Sequence, residues 1–211
     1  MRLLMPIPRD RRARRLAQLY LGLPLYGLSA ALLVESTLGL DPWDVFHQGV
    51  ARQTGLAIGT ITVIVSAFVL LLWIPLRQAP GLGTLSNAIL VGLAMNVVIG
   101  SIPRPETLPP RVAFLVAGIF LNGVATGFYI GAGLGPGPRD GLMTGLARGG
   151  RSIRVVRTMI ELVVLTVGWL LGGTVGIGTV AYALSIGPLA HVFIPLFATG
   201  RRDVRPDATP I

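Results

Sequence analysis

The chain has no cysteine or lysine and carries few charges. None of its 211 residues is cysteine, all eighteen basic residues are arginine, and only 13% of the positions are charged. Without cysteine there is no disulfide, thiolate nucleophile or thiolate metal site. Without lysine there is neither a Walker-type phosphate-binding lysine nor Schiff-base chemistry. Several common kinds of enzyme site are therefore excluded before any motif is considered.

Apolar residues predominate in the chain. Hydrophobic residues make up 52% of the chain, and the mean hydropathy is +0.72. A helix needs about 20 apolar residues to cross a bilayer, and the chain has several runs of that length. The formal net charge of +9 does not indicate nucleic-acid binding, because the arginines cluster between apolar runs as membrane topology signals do. We therefore predict a membrane protein whose partner is the lipid bilayer.

One fourteen-residue motif occurs twice. Residues 39–52 read GLDPWDVFHQGVAR, and residues 135–148 read GPGPRDGLMTGLAR, with six identical positions at a spacing of 96. Further along, the glycines and threonine of 81–92 return in 176–187 at a spacing of 95. The chain is therefore predicted to be an internal duplication of one structural unit.

Each copy is predicted to supply three membrane spans. Because three is odd, a second copy that continues through the bilayer must be inverted relative to the first. The predicted fold is an all-α polytopic bundle of about six spans, built as two inverted three-helix repeats, each with a short Gly/Pro-started helix after its first span. The predicted parts are an arginine-rich N-terminus at 1–15, repeat 1 at 16–102, a proline-rich linker at 103–111, repeat 2 at 112–197 and a tail at 198–211.

The arginines predict the orientation. If the N-terminus is cytoplasmic, fifteen of the eighteen arginines fall on the inner side, and only Arg52, Arg104 and Arg111 fall on the outer side. Cytoplasmic loops carry the excess of positive charge in membrane proteins. We therefore expect a bacterial cytoplasmic membrane protein with both termini in the cytoplasm.

Both copies of the motif look like the start of a helix. An N-cap, a proline at the first position and an acid at the third are typical of helix N-termini, so both acids can be capping groups whose carboxylates reach back to the cap amide. Alternatively, the short helices 42–52 and 138–148 re-enter the membrane and border a polar cavity, or they lie flat at its surface. These positions are Asp41, Pro42 and Asp44 in the first copy and Gly137, Pro138 and Asp140 in the second.

Six polar side chains are candidates for a substrate pathway, because ionisable groups at membrane depth are expensive and tend to be functional. His191 and Asn96 occupy matched repeat positions, although an interhelical hydrogen bond would explain them equally well. Glu161 has Arg157 at i−4, which favours a simple ion pair. His47 lies on the motif and can titrate near neutral pH. The candidates are Asp44, Asp140, His191, Asn96, Glu161 and His47.

The chain resembles the YczE-type proteins, bacterial membrane proteins usually discussed with the YitT family. The residues that carry the resemblance are LGLDPWDVFHQGVARQTGLAIGT at 38–60 and LLLWIPLRQAPGLGTLSNAILVG at 70–92. The likeness extends over 16–197 and implies a cytoplasmic-membrane protein of several spans. It supplies no catalytic residues. The second copy has Arg139 where the first has Trp43, so any role of that ring belongs to one half only.

Two functional classes remain. The leading hypothesis is a small-solute permease or exporter whose substrate binds between the repeats. The alternative is a non-transporting membrane factor for assembly or regulation. An enzyme is not expected, because no paired carboxylates, metal ligands or activated nucleophile can be assembled, and no cofactor is predicted. Small residues in the spans, such as Gly118, Gly123 and Gly127, permit close helix packing and a homo-oligomer.

Overall fold

The computed structural model describes residues 4–148 and 150–199. These residues form eight helices and no strand, which confirms the all-α prediction. The predicted tail from residue 200 onward, with its three arginines, lies outside the described residues. The helices are α1 (Arg12–Ser36), α2 (Pro42–Thr54), α3 (Ile58–Leu72), α4 (Leu82–Ile99), α5 (Leu108–Gly131), α6 (Pro138–Ala147), α7 (Ile153–Leu170) and α8 (Ile177–Phe197).

Four of these helices are long and apolar enough to cross a membrane, namely α1, α4, α5 and α8. α2 and α3 together supply a fifth candidate, bent by 112° at the break between them. α3 alone has 15 residues, which span only about 22 Å against a hydrocarbon core of roughly 30 Å. α7 carries Arg154, Arg157 and Glu161, which lower its hydropathy. The described residues thus show four or five spans, and six spans stay a prediction.

α5 begins earlier than the linker prediction places it. The helix starts at Leu108 after the N-cap Thr107, and it includes Pro109 and Pro110 in its first turn. Prolines are tolerated there because the first N–H groups of a helix have no intrahelical partner. The break between α4 and α5 therefore covers 100–107, earlier in the chain than the predicted 103–111.

α1 and α5 form the centre of the bundle and run antiparallel. Arg15, near the start of α1, donates through Nη1 to the carbonyl of Ala132 at the end of α5 (2.7 Å). Arg111, near the start of α5, donates through Nε to the carbonyl of Ser36 at the end of α1 (2.9 Å). Arg15 also donates to Asp10 (2.7 Å), and this hydrogen bond lowers the pKa of the Asp10 carboxyl. The first helices of the two sequence repeats are therefore paired head to tail.

The loop before each short helix packs on the last helix of the other unit. The carbonyl of Leu38, before α2, accepts from the Gly178 amide of α8 at 2.8 Å. The carbonyl of Leu134, before α6, accepts from the Gly83 amide of α4 at 2.8 Å. The N-cap glycines of α4 and α8 leave room for this contact, because a Cβ at either would collide with the same carbonyl. Equivalent residues of the two repeats thus make equivalent exchanged contacts.

The two short helices end at opposite ends of α3. Gln53, in the last turn of α2, donates to the carbonyl of Leu171 at 2.9 Å. Arg148, just after α6, donates to the carbonyl of Arg77 at 3.3 Å. α3 begins shortly after α2 and ends shortly before Arg77. α2 therefore ends beside the start of α3, whereas α6 ends beside its finish.

The last two helices of each unit are arranged differently. α3 packs on α4, and the amide of Gly59 donates to Asn96 Oδ1 at 2.9 Å. α7 packs on α2 and makes almost no contact with α8. A Cβ at Gly92 would collide with the carbonyl of Gly59, whereas one at the equivalent Gly187 would meet nothing within 4 Å. The pairing of α3 with α4 thus has no counterpart between α7 and α8.

Candidate functional site

α2 begins inside the protein. Asp41 caps it by accepting the amides of Trp43 and Asp44 at 2.9 and 3.0 Å, as the sequence predicts, and Pro42 occupies the first helical position. Asp41 and Asp44 are both buried, while the last turn of α2 is exposed. The helix thus runs from the interior to the surface rather than along it.

The carboxylate of Asp44 bonds to a side chain rather than to the cap amide. Its Oδ1 lies 3.0 Å from Nδ1 of His47, one turn along the same helix. The same ring nitrogen lies 3.3 Å from Oγ1 of Thr62 on α3. All three side chains are buried. The arrangement fixes the histidine ring and leaves Oδ2 of Asp44 without a donor among the described residues.

α6 also begins inside the protein. Gly137 stands at its N-cap and Pro138 at its first position, as predicted. The indole N–H of Trp73 donates to the carbonyl of Pro138 at 3.0 Å and so ties the start of α6 to the end of α3. Asp140 accepts the hydroxyl of Tyr129 on α5 through Oδ2 at 2.7 Å. The second acid of the repeated motif is therefore held by a tyrosine, where the first is held by a histidine.

Arg139 joins the starts of the two short helices. Its Nη1 lies 3.5 Å from Oδ1 of Asp41, the capping residue of α2. Its guanidinium lies over the ring of Tyr26, 5.7 Å from the centroid, and also donates to the Tyr26 hydroxyl. Asp41 is 2% exposed and Arg139 is 28% exposed in this pair. The repeated motifs, 96 positions apart in the chain, therefore meet through an ion pair inside the protein.

A cavity of about 50 Å³ lies where these groups meet. Helices α1 to α5 and the start of α6 all contribute to its wall. A space of this size accommodates a few water molecules or a solute of a few non-hydrogen atoms. Its polar lining consists of Tyr26, Trp43, Asp44, His47, Thr62, Ser66, Asn87, Tyr129, Arg139 and Asp140.

Three of the six predicted site residues line this cavity. Asp44 and His47 reach it from α2, and Asp140 reaches it from α6. Glu161 lies on α7 outside the cavity, in an ion pair of 2.9 Å with Arg157. That pair is the simpler interpretation that the sequence offered for Glu161.

Asn96 and His191 lie outside the cavity and do not face a shared pathway. Asn96 accepts from the Gly59 amide and donates to Thr60 Oγ1 at 3.1 Å, so it fastens α4 to α3. His191 is exposed on α8, with Nδ1 3.0 Å from the carbonyl of Gly187. Their matched sequence positions lead to different surroundings, because α7 does not pack on α8 as α3 packs on α4.

Sequence reasoning missed Arg139 and the two tyrosines of the cavity. In the sequence, Arg139 counts as one of the arginines on the cytoplasmic side. Its position next to Pro138 in a repeated, glycine-rich motif is the feature that indicates a role in the site. The sequence feature that singles out Tyr26 is its equivalent in the second repeat, because the spacing of 96 pairs it with another polar residue, Asn122. Asn122 accepts the hydroxyl of Tyr182 at 3.0 Å in a second buried polar contact, between α5 and α8.

The long apolar helices define an all-helical membrane protein. The chain belongs to a family of unknown function, DUF6198, whose model matches residues 13–195. It is 42% identical over 181 residues to an uncharacterized protein of Haemophilus influenzae, covering 85% of this chain and 83% of the relative. It is 30% identical over 200 residues to the uncharacterized membrane protein YczE of Bacillus subtilis, covering 90% and 93%. These matches confirm the YczE-type resemblance. No solved structure matches the chain.

Proposed function

We propose that the protein is a small-solute permease or exporter that binds its substrate in the cavity between the starts of α2 and α6. The observation that carries this proposal is the meeting of the two repeated motifs, through Arg139 and Asp41, beside a cavity with several polar side chains in its wall. Secondary transporters commonly bind substrate near the bilayer midplane, at the interface of two repeats and at the N-termini of discontinuous helices.

Three observations support an inverted relation between the repeats. First, α1 and α5 are antiparallel. Second, the carbonyls of Leu38 and Leu134 accept backbone hydrogen bonds of the same length, 2.8 Å, from α8 and α4 respectively. Third, the two short helices end at opposite ends of α3. The buried starts of α2 and α6 support helices that re-enter the membrane rather than lie at its surface. Irregular backbone at membrane depth is tolerated where it is buried in protein or lines a cavity.

The arrangement of the arginines supports a cytoplasmic N-terminus. The amide of Met5 donates to the carbonyl of Pro80 at 3.0 Å, and Arg148 contacts Arg77, so the arginine-rich N-terminal segment and both of these loops share one end of the bundle. Arg104 and Arg111 contact Glu35 and Ser36 at the other end of α1. The basic end is the cytoplasmic one under the positive-inside rule.

A single cysteine in the cavity tests the carrier function, because the native chain has no cysteine. Ser66 on α3 lines the cavity, and we expect Ser66→Cys to react with a membrane-impermeant thiol reagent in both right-side-out and inside-out vesicles. A carrier exposes its site to each side in turn, whereas a non-transporting factor has no need to do so.

The matched control is Leu33→Cys, a fully buried position in the core of α1, which we expect to remain unlabelled in both preparations. Labelling of Ser66→Cys from one side only would contradict the carrier proposal. It would favour the assembly or regulatory factor instead.

A further inference from the structure

We propose that the cavity between α2 and α6 accepts a small organic cation of the ammonium or guanidinium class. This inference rests on the proposed function, because it names the substrate class of the same site. It is carried by the charges, the unpaired polar atoms and the aromatic rings that surround the cavity.

Negative charge exceeds positive charge around the cavity. Asp44 and Asp140 line it directly, and Asp41 lies behind the one lining arginine, Arg139. The other lining elements contribute the uncharged Thr62, Ser66 and Asn87, the hydroxyls of two tyrosines and the imidazole of His47. Carboxylates in a membrane interior need positive partners, since burial disfavours an unpaired charge. The three carboxylates outnumber Arg139 and the imidazole of His47, the two basic groups in this lining, and so leave room for a further cation.

Each carboxylate has an oxygen with no donor in the described part of the chain. Asp44 uses Oδ1 for His47, and Asp140 uses Oδ2 for Tyr129, while the second oxygen of each makes no hydrogen bond there. Oδ2 of Asp41 is fully buried and also has no donor among these residues. A ligand in the cavity that carries several N–H groups would supply donors to Asp44 and Asp140, which line it, whereas Asp41 lies outside the lining.

Aromatic rings complete a surface suited to a cation. Tyr26, Trp43 and Tyr129 line the cavity, and ring faces attract ammonium and guanidinium groups. The guanidinium of Arg139 over Tyr26 shows that the same surface already holds one cation. A ligand guanidinium would find equivalent partners in the remaining carboxylates and rings.

The cavity volume limits the ligand to a few non-hydrogen atoms. Guanidinium and its neutral isostere urea both fit that limit, and they have nearly the same planar shape. Their comparison therefore isolates charge from size and hydrogen bonding. On this account, the full-length protein in lipid nanodiscs binds radiolabelled guanidinium at least tenfold more tightly than urea.

The acids that line the cavity provide the second comparison. We expect Asp44→Asn and Asp140→Asn each to weaken guanidinium binding at least tenfold. Glu161→Gln, which removes a carboxylate outside the cavity, should leave binding unchanged. Equal affinity for guanidinium and urea in the wild-type protein would overturn the inference, and this comparison does not depend on any variant folding. Unchanged guanidinium binding in both folded aspartate variants would also overturn it.

The outcome can be separated from that of the carrier proposal. Two-sided labelling of Ser66→Cys without a preference for guanidinium over urea would overturn the cation assignment and leave a carrier of another solute class. A clear guanidinium preference with one-sided labelling would support the cation site and contradict transport.

Discussion

Replacing Arg139 by alanine is expected to destabilise the protein by about 3–5 kcal/mol, because the change leaves the buried carboxylate of Asp41 without its positive partner. The guanidinium also lies over the Tyr26 ring and donates to its hydroxyl, so those contacts are lost together. Since Asp41 caps α2 and Arg139 lies in the first turn of α6, the loss should loosen the junction between the repeats. The measurement is the thermal unfolding midpoint of the detergent-purified variant.

The matched control is Arg157→Ala, which breaks an ion pair whose members are 39% and 32% exposed. Pairs of that kind contribute at most about 1 kcal/mol. The double variant Asp41→Asn with Arg139→Gln should recover part of the loss, because neither residue then leaves a buried unpaired charge. The assignment fails if Arg139→Ala and Arg157→Ala unfold at the same temperature as the wild type.

Trp73→Ala is expected to produce a comparable loss, about 3–5 kcal/mol, because it removes a large buried ring from a packed cluster. Trp73 is 2% exposed and packs with Trp43, Leu142 and Met143. Its indole N–H also ties α3 to the carbonyl of Pro138 at the start of α6. The substitution should therefore disturb the cavity as well as the core.

Trp169→Ala is the matched control, because it removes the same side chain from an exposed position. Trp169 lies on α7 and is 62% exposed, so Trp169→Ala should change the free energy of unfolding by under about 1 kcal/mol. Chemical denaturation of both variants in the same detergent measures the difference. Equal destabilisation by the two substitutions would show that the contacts of Trp73 with the start of α6 contribute little to stability.

The parts of the site that the sequence predicts are those set by local chemistry. The N-cap at Asp41, the proline at the first helical position and the placement of Asp44 and Asp140 follow from residue preferences within one helical turn. The repeat then places Asp44 and Asp140 at equivalent positions, which the sequence alone shows. Because both copies begin buried helices, Asp44, His47 and Asp140 reach one cavity.

The parts that the sequence could not predict depend on contacts between distant segments. Arg139 pairs with Asp41 across 98 positions, and nothing local distinguishes it from an arginine at a membrane surface. His191 and Asn96 match in the repeat register, but α7 packs on α2 and leaves α8 unpaired on that side. The α3 helix is also shorter than its apolar sequence, which continues into a turn after the last helical residue, Leu72.

The central claim is that the two motifs approach the cavity from opposite sides of the membrane. Leu56, between α2 and α3, and Arg151, between α6 and α7, are both exposed in the loop after a short helix, so single cysteines at these positions test it directly. With an impermeant thiol reagent on intact cells, we expect Leu56→Cys to be labelled at once and Arg151→Cys only after the membrane is permeabilised. Labelling of both cysteines in intact cells, or of neither, would contradict the account.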